Sequence, residues 1–247
     1  MQISNLQSRK GEAGFTLVEL AIVMIIIGLL IGGILKGQEL IANAQVTATV
    51  AQIKGIDAAF STFRDKYSVL PGDMTNGANR LRDCAGLCAT GVPGGALGNG
   101  RVDVPAIGTA PTAVATQEGL VAFIHMAAAD LLSGIDLNGN ALFGSSLPAA
   151  KMGGGFWIGH TADGTAPGVT NMRPGHYIIF NNVVGAVAAA STTGITTTQA
   201  AQVDRKLDDG IPQTGDVQAT GQDCVNTGVY AEADVTANCS LYLRTQG

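Results

Sequence analysis

The sequence predicts an α+β chain in which one long N-terminal helix is followed by a small antiparallel sheet of about four strands. Three observations carry that prediction. The run FTLVELAIVMIIIGLLIGGIL fills residues 15–35 and is long enough to cross a membrane as a helix. The stretch after Lys36, GQELIANAQVTATVAQIKGIDAAFSTFRDKY, has no proline and repeats Ile53, Ile56, Phe60, Phe63 and Tyr67 at helical spacing. Strand signals then appear only late, at GFWIGH (155–160) and HYIIFNNVV (176–184), the second with an unbroken apolar core typical of a buried strand.

Taken in order, the first two stretches form one helix from about Thr16 to Tyr67, ~78 Å long at 1.5 Å per residue. Its first half is apolar all round and its second half is amphipathic, so the Phe60/Phe63 face should hold a globular domain. Pro71-Gly72 ends the helix and begins a turn. Residues 86–116 are rich in Gly, Ala, Pro and Thr and read as a surface excursion. A second amphipathic helix is expected over 119–134, with Leu120, Phe123, Ile124, Ala127 and Leu131 on one face and His125 partly exposed. The glycines at 153–155 lead into the first strand. TTTQAAQVDRKLDDG supplies a Thr-capped short helix that Gly210 and Pro212 stop. VQAT and SLYLRT are the last two strands.

Composition narrows the class. With 46% hydrophobic and 13% charged residues in 247, the chain suits one anchored domain. Its formal charge is −5, and Arg and Lys are scattered without basic runs, which argues against nucleic-acid binding. Four cysteines, Cys84, Cys88, Cys224 and Cys239, form two local pairs. In an oxidising compartment they are disulfides, and of three connectivities 84–88 with 224–239 closes the shortest loops.

Glu19 is the one ionisable side chain in the apolar run, where a carboxylate costs on the order of 2.5–3.5 kcal/mol. Stability of the lone helix does not account for it, since Leu would insert better. It needs a cation, and the nearest in sequence are Lys10 and Lys36. Cutting the chain between Gly14 and Phe15 would create another, a new α-ammonium. The preceding MQISNLQSRKGEAG is short, polar and basic, so the apolar segment would follow the cut and be kept, unlike a secretory signal. The cut would remove Arg9, Lys10 and Glu12 and move the formal charge to −6 before the new terminus is counted.

A basic leader ending in Gly14, then Phe15-Thr16-Leu17-Val18-Glu19 and a hydrophobic helix, resembles the N-terminus of type IV pilins and type II secretion pseudopilins. KYSVLPGD (66–73) and the late cysteine pair are similar to that family too. The resemblance implies a pilin-like fold. It divides the chain into a leader (1–14), a transmembrane and filament-core helix (15–35), an amphipathic continuation (36–70) and a periplasmic or extracellular domain (71–247) ending in a disulfide loop. It also implies cleavage after Gly14 by a prepilin peptidase and N-methylation of Phe15. Residence in the inner membrane would then give way to assembly with like subunits into a surface or periplasmic filament, driven by an inner-membrane platform and an assembly ATPase. Glu19 would meet the α-ammonium of Phe15, most usefully that of a neighbouring subunit. Gly28, Gly32, Gly33 and Gly37 each cost about 0.8–1 kcal/mol of helix propensity relative to Ala. They either let the helix unwind in the filament or serve close helix packing.

No catalytic constellation is visible. His125, His160 and His176 fall on three predicted elements without metal-ligand spacing, and there is no Walker loop or G-x-S-x-G. Asp136-Leu-Asn138-Gly-Asn140 begins like a calcium loop, but Ala141 and Leu147 stand where Gly and Glu belong. Asp204, Asp208, Asp209 and Asp216 read as a helix C-cap and turn, with calcium the alternative. Asn238-Cys239-Ser240 matches a glycosylation acceptor, discounted because its cysteine belongs in a disulfide. No enzyme, cofactor or resident metal is expected. The leading function is a structural subunit of a type IV pilus. The alternatives are a type II secretion pseudopilin and, from another class, a membrane-anchored periplasmic binding module.

Overall fold

The computed structural model describes residues 14–90, 97–102, 107, 117–138, 141–169, 171–181, 195–221, 223–233 and 239–246. The chain forms two compact units, 1–43 and 44–247. Helix α1, Leu17–Tyr67, contributes to both.

In the first unit, α1 has no buried side chain. Leu17, Ile22, Ile26, Leu29, Leu30 and Leu35 are all more than half exposed, because apolar residues surround the helix and no single face can be hidden against one neighbour.

In the second unit the same helix becomes amphipathic and buries Val46, Val50, Ile53, Ile56, Phe60 and Phe63. It stops before the proline. Ser68 takes a left-handed φ of 55° and its N–H bonds to the Arg64 carbonyl, a one-residue αL cap. Leu70 to Met74 then dive into the core, so the Pro-Gly turn expected from sequence is present but buried. Two single-turn helices follow, α2 (Gly77–Arg80) and α3 (Leu87–Thr90).

Helix α4, Glu118–Ala128, is shorter than the 119–134 expected from its apolar spacing. Asp130 adopts φ 58°, the Leu131 N–H reaches the Met126 carbonyl and the Asp130 N–H the Ala127 carbonyl. This is a Schellman cap with Asp where glycine is usual, so the stop signal was hard to read. His125 on α4 is fully buried, which corrects its expected partial exposure.

Strands β1 (Gly155–Thr161) and β2 (Gly175–Asn181) pair antiparallel. The second was expected to run to residue 184, and 182–184 lie outside the described residues. Helix α5, Thr197–Leu207, opens with a capping box in which Thr196 and Gln199 bond each other's backbone N–H. After it come β3 (Val217–Thr220), the small hairpin β4 (Val225–Asn226) with β5 (Val229–Tyr230), and β6 (Ser240–Arg244). The main sheet has the order β1-β2-β6-β3, antiparallel throughout. Successive strand residues are buried, so both sheet faces are covered. Both sheet edges are engaged: the Phe156 N–H bonds to the Pro148 carbonyl beside β1 and the Ala219 N–H to the Pro212 carbonyl beside β3.

The second half of α1 is tied to this unit at several points. Phe60 packs on His176 of β2 and Phe63 stacks on His125 of α4. The Gln52 amide bonds the Ala149 carbonyl at 3.1 Å and accepts from the Lys151 N–H at 3.0 Å. Lys206 Nζ reaches Thr47 Oγ1, and the Gln246 N–H reaches Asp57.

Candidate functional site

The N-terminal segment presents Gly14, Phe15 and Thr16 in non-helical conformation just ahead of α1. A Cβ at Gly14 would meet nothing within 4 Å, and Phe15 is 81% exposed. Glu19 has a local partner that sequence reasoning passed over. Its Oε2 accepts from the Thr16 N–H at 2.9 Å and from Thr16 Oγ1 at 2.8 Å, while the Glu19 N–H donates back to Thr16 Oγ1 at 3.2 Å. Thr-x-x-Glu is thus a capping box. The expectation that helix stability gives Glu19 nothing is corrected: its carboxylate satisfies an amide that starts the helix. The box supplies hydrogen bonds to the carboxylate but no positive charge. Gly28, Gly32, Gly33 and Gly37 lie in continuous helix, and a Cβ on any of them would meet nothing within 4 Å.

Two disulfides, Cys84–Cys88 and Cys224–Cys239, link residues 4 and 15 apart. Cys84, Cys88 and His125 lie close enough to suggest a metal group, but the hydrogen bonds argue otherwise. His125 Nδ1 accepts from the Gly72 N–H at 2.9 Å, which places the ring proton on Nε2, 3.2 Å from the Cys88 carbonyl. A neutral imidazole so fixed has no lone pair left for a metal. Burial pulls its pKa down to about 4, outweighing the Cys88 carbonyl. His125 is a strut joining α4, the buried turn and the first disulfide loop. Gly72 and Gly77 allow the close approach, since a Cβ at either would fall 2.5 Å from a backbone oxygen.

Asp73, the last residue of KYSVLPGD, is fully buried. Its carboxylate collects the N–H groups of Gly98 (2.5 Å), Asn99 (3.1 Å) and Gly100 (2.7 Å), and so folds residues 98–100 around one anion. Sequence reasoning gave Asp73 no role.

The acidic region after α5 is a turn. Asp208 caps the helix and accepts from the Asp216 and Val217 N–H groups, and Asp209 from the Ile211 N–H (2.8 Å) and Thr214 hydroxyl (2.5 Å). Asp216 faces Arg173 and Arg244. Asp136 likewise bonds the Asn138 N–H within its own turn. His160 and His176, expected on separate elements, are cross-strand partners with rings 4.8 Å apart. Asn238 of the glycosylation-like triplet lies outside the described residues.

Comparison with family models matches the prokaryotic N-terminal methylation motif over residues 9–35. No curated protein and no solved structure matches the chain. α1 is also the one helix, among the described residues, long and apolar enough to cross a membrane. At its N-terminus, running into the long helix of an α+β fold of pilin-like form, this chain carries the signature of type IV pilins and pseudopilins.

Proposed function

We propose that the chain is the structural subunit of a type IV pilus, made as a precursor, anchored in the inner membrane by α1 and polymerised through that helix. The carrying observation is the conjunction of the methylation motif with an apolar helix segment, residues 17–35, whose side chains are exposed and which holds one carboxylate. A prepilin peptidase would cut between Gly14 and Phe15, where the chain is non-helical and exposed, and Phe15 would be N-methylated. Residues 15–35 would lie first in lipid and then among the same helices of like subunits, handed over by an inner-membrane platform and its ATPase.

Glu19 is the register mark in this reading. In the lone subunit its carboxylate rests on Thr16. In the filament it would pair with the α-ammonium of Phe15 from a subunit already in place, because an unpaired charge in an apolar bundle is costly and a matched pair much less so. A subunit docked out of register leaves both charges uncompensated. The four glycines would let residues 28–37 unwind or pack closely during assembly. The 71–247 domain is the part exposed to the periplasm or the medium.

Intact mass of membrane-extracted protein tests the first step: loss of residues 1–14 plus one methyl group is expected, and a mature start anywhere else overturns the reading. The runner-up is a type II secretion pseudopilin, which shares every N-terminal feature. Electron microscopy of sheared cell surfaces separates the two, with long surface filaments containing this chain expected for the pilus. The chemistry of an anchored binding module would need convergent polar groups free for a ligand. The buried carboxylates of Asp73 and Asp204 are instead engaged by this chain's own amides and hydroxyls.

A further inference from the structure

Asp204 lies in the last turn of α5, fully buried. Its Oδ2 accepts from the Tyr230 hydroxyl at 2.8 Å and its Oδ1 from the Gly210 N–H at 3.3 Å. A buried carboxylate needs compensation for its charge. The cations beside it on α5 are engaged elsewhere, Arg205 with Glu232 and Lys206 with Thr47. The groups that do face it are like charges: oxygens of Asp208 and Asp209 lie within 4.8 Å of one another and of Asp204. The C-terminal end of the helix adds its own negative potential. With these carboxylates crowded together, a proton on Asp204 relieves both its burial and their repulsion.

Tyr230 belongs to the β4–β5 hairpin. That hairpin meets α5 through the Asp204–Tyr230 bond and packs Tyr230 into the core, while Glu232, just past the hairpin, adds an exposed pair with Arg205 of small worth. The Cys224–Cys239 disulfide keeps the segment tethered whether or not it is docked. We propose that the β4–β5 hairpin is a proton-sensitive latch, docked on α5 when Asp204 holds a proton and loosened when it does not.

Burial, more than the neighbouring Asp209 and Asp208, raises Asp204 to about 6 against the opposing hydrogen bonds from Tyr230 and Gly210. Tyr230 is itself pushed well above its ordinary range by burial and by Asp204, so it remains a donor. Because the docked pKa lies above that of a solvated carboxylate, docking gains from low pH and loses as pH rises through about 6. A difference of roughly two units corresponds to about a hundredfold change in the docking equilibrium.

Amide hydrogen exchange of the detergent-solubilised full chain, corrected for the intrinsic pH dependence of exchange, reads this directly. Protection of residues 225–231 should fall about tenfold between pH 5 and pH 7.5, with no comparable loss in the rest of the 44–247 unit. Asp204→Asn, which keeps an acceptor for Tyr230 without the charge, should stay docked at both pH values. Equal protection in the unaltered chain at the two pH values, the same pH dependence in Asp204→Asn, or a loss spread over the whole unit overturns the proposal. If Asp204→Asn does not fold, the carboxyl carbon of Asp204 is followed by NMR in the unaltered chain: a midpoint near 6 supports the latch, and one in the ordinary carboxylate range overturns it.

Discussion

Residues 17–43 of α1 expose Ile22, Ile26, Leu29 and Leu30, while residues 44–67 of the same helix bury Val50, Ile53, Phe60 and Phe63. The side chains are of one kind, and their spacing separates the two fates. Apolar residues on every face of the helix call for an apolar surrounding on all sides, such as lipid or a bundle of like helices supplies. Apolar residues on one stripe are satisfied by a sheet and a short helix from the same chain. The first half is therefore left for partners and the second for the fold, and substitutions should divide along that line.

The sharpest break is expected at Glu19. Glu19→Leu makes the exposed half more apolar, yet as the only copy it should abolish filaments while leader cleavage and membrane residence persist, as judged by shearing and immunoblotting. Normal filament yield would end the pairing mechanism. Next come paired truncations across the divide. Phe63→Ala should cost about 3–5 kcal/mol of stability of the 44–247 unit, seen as a large fall in the thermal midpoint in detergent. Leu29→Ala should leave that midpoint unmoved and act only on assembly.

A pH titration sharpens the same comparison, since among the described residues the buried titrating groups lie in the second unit. His125 is held near pKa 4, below its unfolded value of about 6.5. Its contribution to stability is full above pH 6.5 and is lost as pH falls toward 4, on the order of 3 kcal/mol in all. Asp204 works in the opposite direction over part of that window, so the slope is best measured in Asp204→Asn, where His125→Gln should flatten it. The glycine segment follows: a filament map should show α1 unwound or stretched somewhere in 28–37, and an unbroken straight helix there would favour the packing role. The smallest effect belongs to Thr16→Ala. Losing the cap costs about 1 kcal/mol, so amides of residues 17–20 should exchange roughly fivefold faster while 44–67 are untouched.

What was legible in the sequence was local. The apolar run, the amphipathic stripe, the Thr196 cap and the four main-sheet strands all declare themselves within a dozen residues. The polar core did not, because its partners are far apart along the chain: Asp73 finds amides 25 to 27 residues on, and Gly72 meets His125 across 53. Even the end of α4 was hidden, since Leu131 continues the helical pattern and only the conformation of Asp130 interrupts it. The capping role of Glu19 is readable as Thr-x-x-Glu, a local motif that coincides with a carboxylate costly in lipid.

The placement of the disulfides bears on how such a subunit carries load. Each crosslink spans a short stretch, 4 and 15 residues, and neither joins the N-terminal helix to the C-terminal strands. A pull applied between α1 and β6 therefore meets no covalent shortcut and is resisted by packing and hydrogen bonds alone. Past their yield point the chain can pay out at up to ~3.3–3.6 Å per residue over all but the two stapled loops. In the proposed filament, the resistance of each unit to such a pull would lie in the buried faces of α1 and the sheet, and a unit that yielded would lengthen without breaking its backbone.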